Sequence, residues 1–175
     1  MFKNTIRKAF FSAIFITSIM VLLAGCSNSD SEKELAAFSQ SITNFSDYMT
    51  SMDEKISNLD YTKDSACEDL LSYLDGMNSA FSKLADMSVP EQYASIAPLA
   101  DEASENMSQA VALYHSALED GFHKDDADVA YQYYTRAMMR ISYIGTILQG
   151  EIPEGDNITV YETNVSNELI VKIAE

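Results

Sequence analysis

Residues 31–59 read SEKELAAFSQSITNFSDYMTSMDEKISNL, and the spacing of their apolar side chains decides the fold class. Leu35, Phe38, Ile42, Phe45, Met49, Met52, Ile56 and Leu59 follow one another in steps of three and four. Such steps keep side chains on one face of an α-helix, whereas a half-buried strand needs alternation by two. Ser31-x-x-Glu34 has the form of a capping box at the start of the run. The expected helix, Ser31 to Leu59, is roughly 43 Å long at a rise of about 1.5 Å per residue.

Three further stripes follow. The second is Cys67, Leu70, Leu74, Met77, Phe81 and Leu84, behind a second box, Ser65-x-x-Glu68. A free cysteine on an apolar stripe is expected to fill the core as a small hydrophobe. The third runs Tyr93, Ile96, Ala100, Ala103, Met107, Ala110, Tyr114 and Ala117, behind Ser88-x-Pro90-Glu91. Pro98 is expected to kink or split this helix, and Gly121 to end it. The fourth is Ala127, Ala130, Tyr134, Ala137, Ile141, Ile144 and Leu148, capped by Asp125 or Asp126 and ended by Gly150 and Pro153.

Connections of about 3 to 8 residues make sequential helices antiparallel neighbours. The expected fold is all-α: an antiparallel up-down-up-down four-helix bundle over residues 31–153, with a short C-terminal tail at 154–175. A long coiled coil joining several chains is the alternative, disfavoured by short stripes and clear turn signals. The last two helices carry many seam alanines, flanked by Leu99, Val111, Leu118 and Met138. They are therefore expected to pack more closely than the first two. In the tail, Ile158 and Val160 alternate with polar residues and 169–173 is largely apolar. A small β-hairpin, a terminal helix and an unstructured end all remain open there.

Upstream of the bundle, residues 1–8 carry Lys3, Arg7 and Lys8 and no acid. From Ala9 to Ala24 only Ser12, Thr17 and Ser18 are polar. A basic head and an apolar core form the secretory signal pattern, and the run falls short of the about 20 apolar residues of a spanning helix. It ends Leu23-Ala24-Gly25-Cys26. This motif resembles the lipobox of bacterial lipoproteins, and the likeness covers residues 1–26. The resemblance implies that residues 1–25 are a cleaved lipoprotein signal peptide. It implies that Cys26 becomes the N-terminus and carries a diacylglyceryl group with palmitate-like chains. Residues 26–30 would form the lipidated cysteine and its tether. The location implied is the extracytoplasmic face of the cell membrane, or an outer membrane if the organism has one.

Charge narrows the function classes. There are 27 acidic and 11 basic residues in 175, a net of −16. Loss of Lys3, Arg7 and Lys8 with the signal leaves 8 bases against 27 acids, a net of −19. Nucleic acid is excluded as a partner, since phosphate binding needs basic patches. A hydrophobic content of 47% argues against a disordered acidic chain. Two cysteines exclude a disulfide scaffold. Cations and basic partners should be attracted, anionic head groups repelled.

Catalytic motifs are missing from the sequence: no Gly-rich phosphate loop, nucleophile elbow or zincin box. Asp120-x-x-His123 occurs once, where a di-iron bundle needs Glu-x-x-His on two helices. Asp120, His123, Asp125, Asp126 and Asp128 form the densest polar cluster and are the candidate divalent-cation ligands. Acids at a helix start are also what the helix dipole alone favours. Tyr114, Tyr131 and Tyr134 are the candidate ligand or partner contacts. The expected function is a membrane-anchored binding or structural module of the cell envelope, meeting an envelope protein or peptide. No enzymatic activity is expected, and no cofactor beyond the lipid on Cys26. The alternative is a small-ligand or divalent-cation binder using an inter-helix pocket or the acidic turn near His123. A pocket lined by Tyr114 or Tyr134 would favour that alternative; a solid core would favour the partner module.

Overall fold

The computed structural model describes residues 29–119 and 121–153, and the backbone of two strands at 158–163 and 168–173. The signal region, the lipobox Leu23, Ala24, Gly25 and Cys26, and Asp120 lie outside the described residues. The described residues form four helices: α1 (Ser29–Ser57), α2 (Ala66–Ala85), α3 (Ile96–Glu119) and α4 (Lys124–Leu148). A 3₁₀ turn, Glu91–Tyr93, precedes α3. Strands β1 (Ile158–Thr163) and β2 (Glu168–Ile173) pair antiparallel, with Ile158 opposite Ile173. Of the three endings open for the tail, this is the hairpin.

The helices form an antiparallel four-helix bundle, and side-chain contacts give the directions. Phe45 meets Phe81 edge-on with ring centroids 5.1 Å apart, and Lys55 lies over the Tyr73 ring. Ascending numbers on α1 thus meet descending numbers on α2. Across α3 and α4, Arg140 Nε donates to Glu102 Oε2 at 2.7 Å, while Ser116 Oγ donates to Asp126 Oδ2 at 3.3 Å. The stripes supply the core. Phe38, Ile42, Phe45, Met49, Met52 and Ile56 of α1 are buried, and Phe81, Ala103, Met107, Ala110 and Ala137 are fully so.

Of the three pairs of helices consecutive in the chain, α3 and α4 lie against each other most extensively and α1 and α2 least. The alanines explain the first pair, because a methyl side chain holds no neighbouring helix away. Phenylalanine and methionine on α1 and α2 act as spacers in the second.

Several local expectations are corrected. α1 begins at Ser29, so the Ser31-x-x-Glu34 box lies inside the helix, and Ser29 and Asp30 of the expected tether are helical. Ser65 precedes α2 but makes no side-chain cap; its hydroxyl bonds Asp69 Oδ2 instead. His123 holds the N-cap position of α4 without a side-chain bond, and Asp125 and Asp126 sit in the first turn. The split expected from Pro98 is present, and it lies just before the proline. The chain has already broken at the 3₁₀ turn, and α3 restarts at Ile96. Pro98 is then in a first turn, where its missing N–H has no helical partner to lose.

Cys67 is also corrected: it is exposed. Ala66 takes the inward position, and from it the buried sequence Leu70, Leu74, Met77, Phe81, Leu84 continues. At the first turn of a helix, adjacent residues differ by about 100° in direction, so one step decides between core and water.

Candidate functional site

The interior offers little chemistry. Among the described residues no charged or polar side chain is fully buried, and no buried side-chain nitrogen or oxygen lacks a hydrogen-bond partner. Tyr134 is buried at 7% exposure, Tyr114 is half-buried, and Tyr131 is exposed. These tyrosines, on α3 and α4, gather near Asp53 of α1. Burial pushes the Tyr114 hydroxyl up to about 12, with the adjacent Tyr131 adding to the shift. Tyr134 is raised further, first by burial and then by the negative charge of Asp53. Burial, and then Glu54, raises Asp53 above the usual carboxylate range. All these shifts favour the neutral forms. The tyrosines therefore hold no activated phenolate, and the cluster lines neither of the two clefts between α1 and α2.

The acidic turn does not converge on a point. Lys124 is paired with Asp128, Asp126 accepts from Ser116, and His123 is exposed. Among the described residues no three His, Cys, Asp or Glu side chains are grouped to hold a metal ion. The other histidine, His115, reaches across to α2, its Nε2 meeting Asp75 Oδ1 at 2.8 Å.

Two clefts lie elsewhere, along the α1–α2 seam. The first has a volume of about 470 Å³. Its apolar floor is Phe45, Ala80 and Leu84, and its polar rim is Ser41, Asn44, Ser79 and Lys83. Tyr48 crosses the seam above Gly76, where an added Cβ would overlap the tyrosine hydroxyl. Glycine thus lets the tip of the Tyr48 side chain come close to α2. A second, more open cleft continues the seam past Ser51, Lys55, Asn58 and Tyr73. The first cleft exists because large side chains such as Phe45 and Phe81 hold α1 and α2 apart, while Ser41, Gly76, Ser79 and Ala80 beside them are small.

The polar rim is only partly occupied. Ser41 Oγ donates back to the Ala37 carbonyl at 3.0 Å, which leaves its lone pairs exposed to the cleft. Asn44 Oδ1 accepts from Gln40 at 2.8 Å, which leaves its NH₂ group. Lys33, Lys124 and Arg140 hold carboxylates, whereas Lys83 has none within 4 Å among the described residues. No carboxylate lines the first cleft at all, in a chain with 27 of them.

The sequence signals for this site were Gly76 and Lys83. An isolated glycine inside a helical pattern marks a close approach. Of the residues expected to make contacts, Tyr114, Tyr131 and Tyr134 are brought together, but away from the cleft. No family model, curated protein or solved structure matches the chain.

Proposed function

We propose that the chain is a lipid-anchored, extracytoplasmic helical binding module of a bacterial cell envelope, without catalytic chemistry of its own. The observation that carries the reading is Leu23-Ala24-Gly25-Cys26, closing an apolar run with a basic head and preceding the bundle. Two acyl chains hold a protein stably at a bilayer where one holds it marginally, each buried CH₂ contributing about 0.8 kcal/mol. Among the described residues no helix is long and apolar enough to cross a membrane, so an anchor of this kind would be needed to keep the bundle there.

The tightly packed core supports action through surfaces. A bundle whose interior has no polar group seeking a partner has nothing inside with which to orient a ligand. Binding then falls to the faces, and an envelope protein or peptide is the proposed partner. The specific observation favouring the alternative, a small-ligand binder, is the α1–α2 cleft. Nothing comparable favours the divalent cation.

A membrane-impermeant amine reagent applied to intact cells tests the location. Lysines of an extracytoplasmic bundle are labelled without lysis, and Cys26→Ala leaves the chain out of the detergent-soluble membrane fraction. Labelling only after lysis would overturn the reading.

A further inference from the structure

We propose that the first α1–α2 cleft is a binding site for small amphipathic monocarboxylates, the carboxylate meeting Lys83 and the aliphatic part resting on Phe45 and Leu84. The inference deepens the reading of the chain as a binding module, but it needs neither the anchor nor the location.

Three observations point the same way. Size is the first: about 470 Å³ lies within the range of small-molecule sites, roughly 300–1,000 Å³. The second is the division of the walls. Phe45 and Leu84 are buried at 8% and 3% exposure and give an apolar floor, while hydroxyl, amide and ammonium groups occupy the rim. A ligand that is apolar at one end and polar at the other satisfies both.

Charge is the third. Acids cover this protein, yet none lines the cleft, and its one ionised group is an ammonium without a carboxylate partner. At about 0.15 M salt the screening length is about 8 Å, so most of the chain's carboxylates act weakly inside, and Asp47 and Asp75, next in the chain to Tyr48 and Gly76, are those that oppose an anion there. An anion is therefore accepted locally by a molecule that repels anions at long range. The NH₂ of Asn44 and the Ser79 hydroxyl add donors, which a carboxylate uses and an ammonium cannot. Tyr48 closes one end of the cleft over Gly76, which bounds the ligand's length.

The test uses residues 27–175, which contain every core residue of the bundle. Hexanoate, 1-hexanol and hexylammonium are titrated separately at 0.15 M salt and followed by backbone amide NMR shifts. Hexanoate should move the amides of Asn44, Tyr48, Gly76, Ser79 and Lys83. It should bind about fivefold more tightly than hexanol, the upper range of an exposed charge pair, and hexylammonium should bind most weakly. Lys83→Met should abolish the preference of hexanoate over hexanol while leaving hexanol unchanged. Ala80→Leu, which occupies the floor, should weaken both. Hexanol binding as well as hexanoate in the parent chain would overturn the proposal. So would a preference that survives Lys83→Met, or shifts centred on another part of the bundle. Cys26 is absent from this experiment, so its failure leaves the anchoring proposal standing.

Discussion

Replacing one alanine by leucine at two places should give opposite results, because the two seams of the bundle are built differently. Ala137 on α4 is at 0% exposure, on the helix that packs extensively against α3. Three extra carbons have no space there, and overpacking of a filled core costs about 1–3 kcal/mol. Ala80 on α2 is half-buried and forms part of the floor of the 470 Å³ cleft. The same three carbons find room beside Phe45 and Leu84. At about 0.8 kcal/mol per buried CH₂ and roughly half coverage, Ala80→Leu should gain about 1 kcal/mol. Alanine and leucine have similar helix propensities, so that contribution largely cancels. Urea unfolding followed by circular dichroism reads both variants, with the slopes checked for equality against the parent. Ala137→Leu should lower the midpoint and Ala80→Leu should raise or keep it. Equal effects, or the reverse order, would refute the contrast between a closed α3–α4 seam and an open α1–α2 seam.

Other consequences follow from single residues. Gly121 has φ of 114° with nothing within 4 Å of an added Cβ, so Gly121→Ala should cost about 1 kcal/mol from backbone strain alone; an unchanged urea midpoint would contradict this. Tyr114 titrates at about 12 in the fold against 10.0 in the free side chain. The unfolded chain therefore loses this proton first, and stability should fall as pH rises from about 10 to 12, with no loss from this group at lower pH. Absorbance of ionised tyrosine should appear together with unfolding for Tyr114 and Tyr134, not before it. Burial raises Asp53, so its ionised form opposes folding, and Asp53→Asn should raise the urea midpoint at pH 7. That gain should vanish as pH falls below the carboxylate range, where the parent side chain is already neutral.

Periodicity made the helices and their inward faces legible because burial of a helix face leaves a record at every third or fourth residue. Phe38 to Ile56 and Ala130 to Ile144 are buried as their spacing requires. Helix ends were less legible because a cap is a single local choice between nearly equal bonds. Ser65 gives its hydroxyl to Asp69, and α1 runs through Ser31, which was expected to cap its start. Cys67 and Ala66 were interchangeable by composition and separated only by the helix phase. The cleft was illegible for a different reason. Hydrophobic spacing reports which side of a helix is buried, but not how far away the neighbouring helix lies. That distance is set jointly by Phe45, Phe81, Tyr48 and Gly76 from two elements. The tyrosine cluster was partly legible: Tyr114 and Tyr134 lie on stripes, while their meeting with Asp53 depends on how α1 sits beside α4.

The mass of the N-terminal peptide of the chain, extracted with detergent from membranes of its source cells, tests the central claim most directly. Anchoring predicts a peptide that begins at Cys26 and carries a diacylglyceryl group, with residues 1–25 gone. A peptide that retains Leu23-Ala24-Gly25, or that begins at Cys26 with a free thiol, would contradict it.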